Sequence, residues 1–314
     1  MDNSIIMPAV EDIRHFLSAG QDRATNNTSN QIREDILANI IEVSDEYLNH
    51  PEFGSLWTSI REKFLAVLTP LCNDEPFKKI LIKKKGGMSY NYDFDVTFLG
   101  QLNEATNIRS VVKKVKLEFK HNNSNVLNLA QFLELYDKDC KSKFDISGDI
   151  SYAEFFYDTY LDKYLQLEQG ITEPKPERDI YLKNVYDIKY KHPFFKNMYD
   201  TRNLKTKEKR KLAADSISAY LQEFSQTFKF EKILEKIKES QTGKLFLFWD
   251  CENFHIQELD VSKIQILGIK ENSLSDLYFD LSLSNYEHDL RVRINWGNNA
   301  CVANPRWKFT FIKK

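Results

Sequence analysis

The chain has 314 residues, with 44 Lys+Arg against 46 Asp+Glu and a net charge of −2. That near balance excludes a uniformly basic, histone-like binder and an acidic disordered tail, so affinity for nucleic acid has to come from local patches. With 42% hydrophobic and 13% aromatic residues the chain has material for a packed core, and 10 Gly and 8 Pro argue for long regular elements. No apolar run approaches the ~18–20 residues of a membrane-spanning helix, so no membrane is expected among its partners. The start, Met1 to Val10, lacks a basic leader ahead of an apolar core, and a signal peptide is not expected. Cys72, Cys140, Cys251 and Cys301 stand far apart with no Cys-x-x-Cys pair, which reads as scattered thiols in an intracellular, reducing compartment.

In chain order, Ile32, Ile36, Ile40 and Val43 recur at helical spacing behind the capping-rich stretch 24–30, so residues 1–50 read as a helical arm. A second helix is predicted from Leu56 to Leu71, with Leu56, Ile60, Phe64, Val67 and Leu68 on its buried side. The period then changes. Residues 79–85 read as a strand, Gly86-Gly87 as a turn, and 89–98 as a strand. Tyr90, Tyr92, Phe94, Val96 and Phe98 fall on one face of that strand and Ser89, Asn91, Asp93, Asp95 and Thr97 on the other. A loop over 100–107 leads to a third strand at 111–120, and a helix is predicted from Leu127 to Tyr136. Residues 152–239 read as helical and aromatic-rich, and strands return at 244–249, 263–269, 277–283, 290–296 and 307–312.

Two of these strands carry the chemistry. Asp93 and Asp95 project from one face, because strand side chains repeat every two residues; Glu118 and Lys120 likewise share a face. If the strands are neighbours, two or three carboxylates and one ammonium converge. Carboxylate oxygens are what Mg²⁺ prefers, and an ammonium can orient water or stabilise charge developing on a phosphate. The plainer alternative is a solvated, ion-paired sheet face.

Tyr92-Asp-Phe-Asp-Val96, about two dozen residues ahead of Leu117-Glu-Phe-Lys120, resembles the PD-(D/E)xK nuclease pattern. Asn91-Tyr-Asp-Phe, Glu118-Phe-Lys-His-Asn and Ala130-Gln-Phe-Leu are similar to nucleases of that superfamily from large DNA viruses of eukaryotes. The resemblance implies an α/β fold with a restriction-endonuclease-like core, an α-β-β-β-α-β mixed sheet, here with a helical insertion and a β-rich C-terminal part. It places the first acid on the second strand and the Glu-x-Lys on the third, with 245–249 as the last core strand. It implies a Mg²⁺-dependent DNA endonuclease, Mn²⁺ being able to substitute, in which Asp93 and Glu118 hold the metal and Lys120 orients the attacking water. Asp93 fits the Asn-x-Asp-Phe resemblance better than Asp95 and ranks first as metal ligand, with Asp95 as a second ligand or an acid at the edge of the site. Glu62 is a further carboxylate candidate, although Arg61 and Lys63 beside it also mark an exposed helix face. No proline precedes either aspartate, and the Gln-x₃-Tyr of the exonuclease branch is absent.

The expected division is an arm (1–50), a nuclease core (51–150), an insertion (151–242) and the last core strand with the β-rich part (243–314). Lys84, Lys85, Lys116 and Gln131 are the candidate contacts to nucleic acid, with double-stranded DNA as the expected partner and a homodimer as the expected assembly. Residues 183–211 add ten Lys/Arg against three acids, interleaved with Tyr181, Tyr186, Tyr190, Phe194, Phe195 and Tyr199, a pattern that suits phosphate contact and base stacking or simply a solvated helix face. The viral resemblance implies the cytoplasm or nucleus of a host cell, or packaging in the virion. Two rival readings stay open: a nuclease fold without catalysis that binds nucleic acid or serves assembly, and a structural or host-interacting protein.

Overall fold

Alternating and helical hydrophobic patterns sort, in the computed structural model, into two units built around separate five-stranded sheets. The structure describes all residues except 1–6, 18–22, 74, 86–91, 122–124, 130–131, 168–169, 188, 271–277, 285 and 299–301. Helices α1 (Arg23–Asn39), α2 (Asp45–Leu48) and α3 (Gly54–Leu68) precede strands β1 (Lys79–Lys84), β2 (Phe94–Asn103) and β3 (Ile108–His121). Strand β4 (Leu133–Tyr136) is followed by α4 (Asp137–Ser142), α5 (Tyr152–Thr159), α6 (Leu161–Leu167) and α7 (Arg178–Asn184). Then come α8 (Pro193–Asp200), α9 (Thr206–Phe224) and α10 (Phe230–Gln241). Strands β5 (Lys244–Trp249), β6 (Phe254–Glu258), β7 (Gln265–Ile269), β8 (Tyr278–Ser284), β9 (His288–Asn298) and β10 (Ala303–Lys313) follow.

The first unit comprises Met1–Asn128 and Ser240–Leu259. Its sheet runs β1-β2-β3-β5-β6, with β1, β2 and β3 antiparallel, β5 parallel to β3, and β6 antiparallel to β5. Ile80 and Ile82, Phe94, Val96 and Phe98, Leu117 and Phe119, and Leu247 and Trp249 point to one face, where Ile36 and Leu37 of α1 and Trp57, Ile60 and Phe64 of α3 bury them. Two indoles tie the N-terminal turn to this core: Trp57 Nε1 donates to Val10 O at 2.8 Å and Trp249 Nε1 to Phe16 O at 2.9 Å. A parallel pair needs a crossover, and the link from β3 to β5 passes through residues 122–243.

The second unit comprises Leu129–Glu239 and Asp260–Lys314. Its sheet, β4-β10-β9-β8-β7, is antiparallel throughout, and Phe279, Leu281, Leu290, Val292, Trp307 and Phe309 are buried along it. Asp137, fully buried at the start of α4, accepts from the Tyr152 and Ala153 amides at 3.1 and 2.9 Å, from Trp307 Nε1 at 3.0 Å and from the Tyr186 hydroxyl at 3.1 Å.

Several expectations are corrected. The segment expected as a helix from 127 to 136 forms a single 3-10 turn, Val126–Asn128, and then β4. Leu133 and Leu135 alternate inward there, and pairing with Phe309 and Trp307 of β10 outweighs local helix spacing. The loop expected over 100–107 is a turn at 104–107, since β2 runs on to Asn103. Ile36, Leu37 and Ile40 of α1 are buried in the core of the first unit. The chain passes between the two units after 128, 239 and 259. Strand β6 was not foreseen. Among the described residues no helix is long and apolar enough to cross a membrane.

Candidate functional site

Asp93 sits one residue ahead of β2, and its backbone extends the ladder: Asp93 N donates to Leu117 O at 2.8 Å. Its Oδ2 accepts from the Phe119 amide at 2.8 Å, satisfying a β3 N–H beyond the last paired residue of β2. That bond brings the carboxylate against the end of β3, where Glu118 and Lys120 flank Phe119. On the same strand Lys120 Nζ lies 2.6 Å from Glu118 Oε1. From β5, Lys244 Nζ reaches Glu118 Oε2 at 2.5 Å. Three of the expected residues, Asp93, Glu118 and Lys120, are therefore gathered at one sheet end.

Helix α1 adds an acid that the sequence reading missed. Glu34 faces this end of the sheet, with Lys84 Nζ 3.3 Å from its Oε2, and Lys84 also contacts Asp35 Oδ1 at 2.7 Å. Burial and the neighbouring Asp93 charge push the Glu34 carboxyl up to about 7, against the pull of Lys84. Burial raises Asp93 as well, the Phe119 amide and the Lys120 charge offsetting it only in part. Glu118 goes the other way: burial alone would raise it, but Lys120 and Lys244 hold it below the ordinary value. Burial opposes the charge on Lys120, yet Glu118, Asp93 and Glu34 outweigh it and keep the ammonium protonated. For Lys244 burial prevails, and its pKa falls.

Other candidates lie apart from this cluster or outside the described residues. Asp95 pairs with Lys85 at 3.2 Å, a cross-strand contact on a half-exposed surface. Lys116 Nζ lies 5.4 Å from the centroid of the Tyr92 ring. Glu62 is exposed on α3, and no ion pair or hydrogen bond ties it to Asp93, Glu118 or Lys120. Asn91, Ala130 and Gln131 lie outside the described residues. In the second unit Tyr199 stacks on Tyr190 with centroids 4.3 Å apart and holds the Arg202 guanidinium 3.6 Å from its own centroid, so its faces are already engaged.

Beside the acids, His121 follows Lys120, and burial next to Arg33 drops its pKa to about 4. Cys251, with φ of 77°, brings its Sγ to 4.0 Å from His121 Nε2. Arg33 is fully buried and donates to His15 O and Asn30 Oδ1 at 2.6 Å each. A signal for α1 was present in the sequence: Arg33 and Glu34 interrupt the stripe of Ile36, Leu37 and Ile40, where charge has no reason to stand unless it is partnered. Lys244 gave a similar signal as the one charged residue heading an apolar strand.

Carboxylate oxygens are the ligands that a hard cation takes. Glu34 and Asp93 are half-buried carboxylates whose ionisation is opposed, and a divalent ion beside them would relieve that cost. Among the described residues, however, no three His, Cys, Asp or Glu side chains already stand as a metal cage. Glu118 is turned onto two ammonium groups instead. No family model, no curated protein and no solved structure matches the chain.

Proposed function

We propose that this protein is a divalent-cation-dependent DNA endonuclease of the PD-(D/E)xK kind. The observation that carries the reading is the bond from the Phe119 amide to Asp93 Oδ2, which brings an acid ahead of β2 against the Glu-x-Lys of β3. The chain order α3, β1, β2, β3 and the parallel pairing of β5 with β3 support it too. Asp93, Glu34 and Glu118 are the residues to hold Mg²⁺ or Mn²⁺. When bound, such an ion supplies Lewis acidity toward a phosphoryl oxygen and makes water more acidic.

The rest is done by the protein's own groups. The Lys120 ammonium, kept charged by three acids, is a hydrogen-bond donor and not a base; it orients a water molecule and stabilises negative charge gathering on the phosphate. His121, uncharged at neutral pH, adds no competing positive charge beside it. DNA as the substrate rests on the resemblance, and the exposed basic turns of α9 suit the phosphates of any nucleic acid.

A second reading is favoured by one observation: both oxygens of Glu118 are occupied by ammonium groups, as in a nuclease fold that binds without cutting. Supercoiled plasmid incubated at low salt with the protein, with and without Mg²⁺, separates the two. The nuclease reading expects nicked or linear product with Mg²⁺ only, and Lys120→Ala binding DNA within about twofold of wild type without cutting it. Cleavage by Lys120→Ala at the wild-type rate, or none by wild type with either Mg²⁺ or Mn²⁺, rejects it.

A further inference from the structure

Strand β5 reads Lys-Leu-Phe-Leu-Phe-Trp, one cation heading five apolar residues. Lys244 is only 3% exposed, and ammonium groups are almost never buried that deeply unless paired. The register with β3 sets Lys116 opposite Lys244 and Glu118 opposite Phe246. Lys244 therefore reaches one step along the sheet, its Nζ 4.9 Å from the Phe246 ring centroid, to meet Glu118 Oε2. Lys120 takes the other oxygen. The two ammonium groups are not equivalent: the Lys120 side chain is 31% exposed, while that of Lys244 is 3% exposed.

We infer that Lys244 is an internal counter-cation for Glu118, occupying Oε2 when no metal is bound and having to yield it when a divalent cation enters. Lys244 is thus a positioning residue that sets the metal affinity of the site. The inference rests on the nuclease reading and adds its regulation. The physical reason is competition. Each Glu118 oxygen already carries an ammonium, and a divalent cation sharing either oxygen is repelled by the positive charge in place there. Lys120 is expected to stay, because Glu34 attracts it in addition to Asp93, which acts on both lysines, and because burial weakens the charge on Lys244. Lys244 lies at the buried end, where water compensates its ammonium least, so it is the competitor that a divalent ion displaces. Removing that charge takes away the competitor and leaves Glu118 with Lys120 as its remaining ammonium partner, and both effects draw in a divalent ion.

The test is Mn²⁺ titration by calorimetry on the full chain, with melting curves in parallel, for wild type, Lys244→Met and Lys244→Arg. Lys244→Met should bind Mn²⁺ at least tenfold more tightly, equivalent to about 1.4 kcal/mol. Its melting temperature without metal should fall below wild type, and Mn²⁺ should raise it by more than it raises wild type. Lys244→Arg, which keeps the charge, should bind Mn²⁺ within about threefold of wild type. A purely structural lysine predicts a lower melting temperature with Mn²⁺ affinity unchanged, and that result overturns the inference while leaving the nuclease reading intact. If neither wild type nor Lys244→Met binds Mn²⁺, the metal site itself fails and both fall. Should Lys244→Met not fold, Lys244→Gln carries the same comparison, with the same two outcomes.

Discussion

Asp93 is fastened to the neighbouring strand by its own side chain: Oδ2 accepts the Phe119 amide at 2.8 Å, so the acid ahead of β2 and the Glu-x-Lys of β3 move as one piece. Asp93→Asn keeps an oxygen of the same shape for that amide. The variant should melt within a few degrees of wild type, lose at least about 100-fold in plasmid cleavage, and lose the Mn²⁺-induced rise in melting temperature. Retained cleavage in this variant would remove Asp93 from the metal-holding set.

Glu34 makes stability depend on pH in a direction that can be worked out. Its folded pKa of about 7 lies above its ordinary 4.5, so the folded chain holds the proton more tightly than the unfolded one. The stabilisation is fully present below pH 4.5 and is lost as pH rises through 7. The shift corresponds to roughly 2–4 kcal/mol for a side chain this well buried. His121 works oppositely: held near 4 against an ordinary 6.5, it makes stability rise with pH up to about 6.5. The clean measurement is therefore the difference between wild type and Glu34→Gln in urea unfolding from pH 5 to 8. Wild type should lose stability relative to the variant across that range, and a constant difference would contradict the assignment.

Lys207, Arg210 and Lys211 are exposed at the spacing that puts them on one side of the first turns of α9, and none forms an ion pair with a described residue. Many other lysines of the chain are paired, Lys84, Lys85, Lys120, Lys141 and Lys244 among them. Reversing all three charges to Glu should weaken binding of a short duplex at least tenfold at low salt. The slope of log affinity against log salt should shrink by about 0.9 for each phosphate that is no longer neutralised. Fluorescence anisotropy from about 50 to 200 mM salt reads both.

Asp137 anchors the second unit through four donors around one buried carboxylate. Asp137→Ala leaves the Ala153 amide and the Trp307 indole without that acceptor, at a cost of about 3 kcal/mol or more. Urea unfolding followed by tryptophan fluorescence measures it. A loss below about 1 kcal/mol would mean that water replaces the carboxylate.

The residues most legible in the sequence were those whose placement depends on near neighbours. Alternation from Phe94 to Phe98 and from Leu117 to Lys120 was enough to say which side chains share a face, because strand geometry repeats every two residues. The stripe of Ile36 and Ile40 and that of Ile60 and Phe64 fixed the buried sides of α1 and α3 for the same reason. Residues 133–136 misled, since a short apolar run suits either element and only pairing with β10 decides between them.

The sequence by itself determined that Glu118 and Lys120 lie on one face of a strand beside the buried Leu117 and Phe119, and that α3 precedes three strands, while Asp93, expected inside the second strand, stands one residue ahead of it. The tertiary structure alone decided what surrounds them. Glu34 arrives from a helix some sixty residues upstream, and Lys244 from a strand more than a hundred residues downstream. Side-chain direction is a property of a few consecutive bonds. Which strand lies beside which, and which helix covers them, depends on apolar area buried between segments far apart in the chain, and no local pattern encodes that sum.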